Sequence, residues 1–173
     1  MVMSLIIIDV EADGPAPAEF SMVCFGAVRF DEKLDKSFYG KTRPISDRLV
    51  PEALAISGFS REDHLSFDEP KTVMEAFAAW LDEHADGRPV FVSDNLAFDW
   101  QFINYYFHRF LGRNPFGFSG RRIGDLYAGL MKDASKATEW KKYRLTRHTH
   151  NPVDDARGNA EALLKFREFG LKI

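Results

Sequence analysis

The sequence predicts an α/β fold, a central mixed five-stranded sheet flanked by helices, and three observations carry that reading. Apolar runs of strand length recur at 4–10, 20–30, 36–43 and 90–92. Longer segments with helical spacing follow them, after Pro70, after Asn95 and after Pro152. Two of the strand-like runs are separated only by the charged turn Asp31-Glu32-Lys33-Leu34-Asp35, which predicts an antiparallel pair in a sheet otherwise linked through helices. Residues 1–173 are expected to form a single domain.

Taken in order, residues 4–10 read as a buried strand, 20–30 and 36–43 as the antiparallel pair, and 51–57 as a short helix stopped by Gly58. Asp68 and Pro70 open a longer helix whose apolar positions Val73, Phe77, Trp80 and Leu81 share one face. Val90-Phe91-Val92 is a fourth strand, and Asp94 or Asn95 caps a helix to about Leu111. Residues 112–122 read as loop, a fifth strand falls near Arg122-Ile123, 124–132 as helix, and 134–150 as polar loop. A last helix runs from about Pro152 to Phe169, with proline in its first turn.

The single cysteine, Cys24, sits in an apolar run and cannot form an internal disulfide, so a reducing, cytoplasmic location is expected. No signal peptide or membrane span is expected, because the apolar run at 5–8 breaks at Asp9. The net charge of −3 argues against a protein that coats DNA in bulk, yet residues 132–148 hold six basic side chains against two acidic ones. A basic stretch on an acidic chain can draw a polyanion to one place, and this one ends directly before His150.

The run Leu5-Ile6-Ile7-Ile8-Asp9-Val10-Glu11 carries two acids two residues apart, so both point to one side of the sheet. Unpaired buried charge costs several kcal/mol per ion, and a divalent cation between the acids resolves it. Two further acids lie on helices. Asp99 shares a face with Phe102, Ile103, Tyr106 and Phe110, which is more than a helix-dipole role requires. In the pair Asp154-Asp155, Asp154 aligns with Gly158, Glu161, Lys165 and Glu168, a solvent face. Asp155 aligns with Asn159, Ala162, Phe166 and Phe169, and so is aimed inward. Four core-facing acids from one strand and two helices suit two oxygen-liganded ions, Mg²⁺ or Mn²⁺, which is apparatus for phosphodiester cleavage. His150, in the loop entering the last helix, is placed to take a proton from water near neutral pH, and His148 is its local competitor.

These residues resemble the DEDDh branch of the DnaQ-like 3′–5′ exonucleases, whose fold is that of ribonuclease H. The first motif appears as Asp9-Val10-Glu11, the second as Asn95-Leu96-Ala97-Phe98-Asp99, and the third as His150-Asn151-Pro152-Val153-Asp154-Asp155, in that order and on the expected elements. The resemblance spans roughly residues 4–168. It implies that Asp9, Glu11, Asp99 and Asp155 hold two metal ions and that His150 is the general base. Water would attack the last phosphodiester of a single strand, releasing a nucleoside 5′-monophosphate. The chain departs from the family after Glu11, where Ala12-Asp13-Gly14 replaces small hydroxyl residues that meet the terminal nucleotide. Asn95, Phe98 and Trp100 beside Asp99 are further contact candidates, as are Trp140 and Tyr143, which interleave with basic residues as stacking platforms would. Arg144 and Arg147 are expected on phosphates. Similar small enzymes are often homodimers acting on RNA 3′ ends, which inclines the reading toward RNA and leaves DNA open. The rivals are a ribonuclease H-type endonuclease and a catalytically silent nucleic-acid-binding module on the same scaffold.

Overall fold

A computed structural model describes residues 3–173. β1 (Met3–Ala12) is the middle of a five-stranded sheet in the order β3-β2-β1-β4-β5. It pairs antiparallel with β2 (Met22–Arg29), which pairs antiparallel with β3 (Ser37–Lys41). On its other side it runs parallel to β4 (Arg88–Ser93), and β4 to β5 (Gly120–Arg122).

β1 is apolar on both faces because both faces are covered. Ile6, Ile8 and Val10 enter one core with Phe77 of α3 (Pro70–His84) and Phe102, Ile103 and Tyr106 of α4 (Leu96–Leu111). Leu5 and Ile7 enter the other, with Tyr127 of α5 (Ile123–Met131) and Ala160, Leu163 and Phe166 of α6 (Pro152–Glu168). Asp9 and Glu11 continue the Leu5–Ile7 side, so they rise toward α6, while Asp99 comes from the opposite layer.

Several elements differ from the sequence reading. Besides the short helix α1 (Pro51–Ile56), a second, α2 (Arg61–Ser66), occupies a stretch without apolar periodicity. Its signal is local: Ser60 and Asp63 form a reciprocal capping box. β5 lies at Gly120–Arg122, just before its expected place, and carries no apolar side chain to mark it. The basic stretch is not plain loop. It contains two 3-10 turns, Ala134–Lys136 and Glu139–Tyr143, and the second drives Trp140 fully into the core. Among the described residues, no helix is long and apolar enough to cross a membrane. Cys24 is buried, and burial pushes its thiol up to about 12.

Candidate active site

The site forms where β1 and β4 part. Their pairing ends at Ile7↔Val92, after which β1 continues beside β2 alone. Such a split, at the carboxyl ends of parallel strands, is where open α/β sheets hold ligands. The Val10 N–H left without a strand partner donates to Asp99 Oδ1 at 3.1 Å. Asp99 therefore reaches around the sheet from its own layer to meet the acids of the other. Its Oδ2 is buried with no hydrogen-bond partner.

From the opposite side α6 brings Asp155. Carboxylate oxygens of Asp9, Glu11 and Asp155 lie within 4.8 Å of one another. Asp155 is fully buried and Asp154 half-buried, so the two neighbours separate as the helical phase requires. The surroundings of Asp154 differ from the expected solvent face. Residues 144–146 cross α6 there, in a gap that exists because Gly158 has no side chain; a Cβ would stand 2.6 Å from Arg144 Nε. Glu161, expected in solvent, pins that crossing by accepting Leu145 N–H at 2.8 Å, Thr146 N–H at 2.7 Å and the Thr146 hydroxyl at 2.9 Å.

The loop then delivers His150, whose backbone φ of 61° is the left-handed region that non-glycine residues avoid. That bend puts His150 Nδ1 3.3 Å from Glu11 Oε1, while the His150 backbone N–H donates to Asp155 Oδ2 at 2.9 Å. His148 Nδ1 lies 2.8 Å from Asp155 Oδ1, and Arg144 Nη2 donates to the same oxygen at 2.7 Å.

The electrostatics are those of crowded negative charge. Burial first, then repulsion from Asp99, Asp155 and Glu11, pushes the Asp9 carboxyl well above its ordinary value, and Arg144 only partly offsets this. Burial pushes Asp99 up to about 8. Glu11 is raised by burial, with His150 pulling the other way. Oxygen donors of this number, one of them buried without a partner, fit a hard divalent cation.

The pocket above the acids has a volume of about 530 Å³. Asn95, Phe98, Arg144 and Arg147 line it. So do Ile56 and Leu145, apolar side chains left 50% and 84% exposed. Sequence reading missed both, since nothing in an apolar pattern separates a residue held out of the core from one inside it. It also missed Lys141 and Asp94, paired at 2.7 Å at the rim.

Other expected contact residues are not in the pocket. Trp140 is fully buried and cannot stack on a base. Tyr143 packs against Tyr127 and Phe169, away from the acids. Trp100 sits edge-on to Phe91, outside the acidic pocket. Asp13 is fully buried. It accepts Ser21 N–H at 2.5 Å and pairs with Arg61 at 3.0 Å, so it holds the turn after β1 instead of meeting substrate. Ala12 is buried, and the space beside Gly14 is taken by the Phe20 ring.

A family model described as exonuclease, RNase_T, matches residues 6–163. The chain belongs to this exonuclease family. It is 37% identical over 163 residues to the 3′–5′ DNA exonuclease Cap18 of Escherichia coli, covering 89% of this chain and 86% of that protein. The fold is that of the DEDDh nucleases. The nuclease domain of 3′hExo, a DEDDh family member bound to rAMP, superposes with a TM-score of 0.77 at 19% identity, over 96% of this chain and 92% of that one. Cell-death related nuclease 4 gives 0.76 at 19% identity, over 96% and 64%. The zinc-bound E. coli ExoI–ssDNA complex gives 0.72 at 16%, over 97% and 41%.

Proposed function

We propose that this chain, as one catalytic domain, is a metal-dependent exonuclease that removes nucleoside 5′-monophosphates one at a time from the 3′ end of a single strand. The observation that carries the reading is the convergence of Asp9, Glu11, Asp99 and Asp155 from both sides of the sheet, with His150 touching Glu11. Those four acids would hold two divalent ions, Mg²⁺ or Mn²⁺. Bound there, the ions would supply activation of the attacking water and stabilisation of the leaving oxygen.

The rest of the chemistry falls to the chain's own groups. Nδ1 of His150 faces Glu11, so the proton on that nitrogen is donated to the carboxylate and Nε2 is left as the basic nitrogen. His150 takes the proton of the attacking water as its oxygen bonds to phosphorus. The bond from phosphorus to the 3′-oxygen of the penultimate nucleotide breaks, and that oxygen takes a proton from solvent water to become the new 3′-hydroxyl, while His150 returns its proton to solvent. Arg144 holds Asp155 in place and balances part of the cluster's charge. Ile56 and Leu145 offer the terminal base apolar contacts that any base accepts, and Arg147 takes a phosphate.

Single-stranded DNA is the first substrate to test, and its support is the E. coli relative, named for DNA. RNA is the second substrate to test, and its support is the resemblance to small enzymes that act on RNA 3′ ends. A time course on 5′-labelled DNA and RNA of equal sequence, with Mn²⁺ and with EDTA, tests metal need, polarity and sugar preference together. A ladder shortening from the 3′ end in Mn²⁺ alone is expected. Equal cleavage of circular strands would instead mean an endonuclease, and no cleavage of any strand would leave the silent binding module.

A further inference from the structure

A second groove adjoins the acidic pocket and is not used by the reaction just described. It has a volume of about 490 Å³ and lies between the first turns of α4 and the edge strand β5. Leu96, Ala97 and Trp100 form one wall, and Phe118, Ser119 and Arg122 the other. Phe118 is 94% exposed, the most exposed large apolar side chain among the described residues. A phenylalanine held in water beside a tryptophan offers aromatic surface without a protein partner.

The groove neighbours the catalytic pocket through residues adjacent in the chain, Asn95 lining the pocket and Leu96 the groove. Asp94 lines that pocket, and its carbonyl accepts Arg122 Nε at 3.3 Å, so Arg122 stands at the junction. Arg122 Nη1 is spent on Asp125 at 2.9 Å, while Nη2 has no hydrogen-bond partner among the described residues. Residues 100–124 include four arginines and no Asp or Glu, in a chain of net charge −3. From Arg122 to Gly120 the strand descends roughly 7 Å, a length suited to one or two nucleotides.

We propose that this groove binds the single strand one or two nucleotides upstream of the cleaved bond, with a base against Phe118 and Trp100 and a phosphate on Arg122. The proposal rests on the exonuclease reading, since it needs the 3′ end in the acidic pocket. A stable protein partner needs on the order of 800 Å² per side, more than this slot offers, whereas flat bases and phosphates match an aromatic wall with a guanidinium at its end.

Phe118→Ala tests it, because a side chain so exposed contributes little to folding. Ala97→Glu, on the other wall, adds a negative charge to an exposed helix position. Two substrates are compared, the p-nitrophenyl ester of thymidine 5′-monophosphate, which has no upstream nucleotide, and a ten-residue oligothymidylate. Both variants are expected to hydrolyse the ester like the parent while KM for the oligomer rises about tenfold. Binding of fluorescein-labelled oligomer with Ca²⁺, read by anisotropy, is expected to weaken to the same extent. Unchanged oligomer affinity in both variants overturns the groove, whether or not the protein cleaves anything. Equal losses on ester and oligomer overturn it too, because they mark a general disturbance of the site. Loss of self-association in sedimentation, with oligomer affinity intact, would assign the groove to a second copy of the chain. If the parent cleaves neither substrate yet Phe118→Ala weakens binding, the exonuclease reading fails and takes the upstream placement with it, leaving the groove as a strand-binding surface alone.

Discussion

Gly26 of β2 lies directly beneath Pro152, the first residue of α6, and a Cβ on Gly26 would overlap the Pro152 carbonyl and the Val153 nitrogen. Gly26 is also the ladder partner of Asp9. The start of α6 therefore rests on the sheet beside the first acid, which brings Asp155 within reach of it.

Gly26→Ala is expected to lift the start of α6 and spread the cluster. Displacing a reacting group by about 1 Å costs on the order of 100-fold in rate. We expect a 10- to 100-fold fall in kcat with the circular dichroism spectrum retained. Gly129→Ala, a helical site with nothing within 4 Å of the added carbon, serves as control and should gain about 0.5–1 kcal/mol of stability. Equal activity in the two variants would show that the Gly26 contact does not set the site.

The helical phase of α6 separates two adjacent carboxylates. Asp155→Asn should abolish strand shortening, and Asp154→Asn should retain most of it; the reverse would mean that Asp155 is not the third-motif ligand. His150→Ala should lower turnover by about 100- to 10,000-fold, the usual contribution of a general base, while Mn²⁺ still binds by calorimetry. His148 touches Asp155 and is 55% exposed, so His148→Ala should cost far less. Matching losses would move the base assignment.

Metal and pH act together on the acid cluster. Asp99 has an ordinary value of 3.8 and a folded value of about 8, so the fold favours its protonated form. Its contribution to stability is full below pH ~4 and is lost as pH rises through ~8. In EDTA the melting temperature should therefore fall across that window, and Asp99→Asn should flatten the slope. Saturating Mn²⁺ should raise the melting temperature by about 5–10 °C at pH 8 and by less at pH 5, where protons compete for the ligands. A Mn²⁺ effect that grows toward low pH would contradict this.

Much of this arrangement is legible in the sequence because it is periodic. A strand period of two fixes Asp9 with Glu11, and the helical period sends Asp99 and Asp155 inward while leaving Asp154 nearer the surface. What periodicity leaves out is long-range. Trp140 sits among lysines in the sequence, yet a single 3-10 turn buries it, and neighbouring charges say nothing of that. Asp13 looks like one more acid beside the motif until Arg61, 48 residues away, closes on it. Glu161 has a solvent-facing helical position and is covered by a loop that only Gly158 admits. Arg144 has the composition of a phosphate contact, and its place against Asp155 follows from the same crossing.

The Asp13–Arg61 pair has a third member that makes the fold sensitive to acid. His64 is fully buried on α2, with Nδ1 3.7 Å from Asp13 and Nε2 3.3 Å from the Met22 carbonyl. Burial, together with the adjacent Arg61 charge, lowers it from 6.5 to about 4. A base depressed in this way stabilises the fold above pH ~6.5 and loses that contribution as pH falls through ~4. The full loss is about 3 kcal/mol. The sign is opposite to that of Asp99, so the wild-type curve alone would blur the two. Urea unfolding of wild type and His64→Phe in parallel separates them, because Asp99 is common to both and the Met22 carbonyl keeps the Thr42 hydroxyl at 2.7 Å. Wild type should lose stability relative to the phenylalanine variant between pH 7 and pH 4. Parallel curves over that range would mean that His64 carries its proton in the folded protein, paired with Asp13.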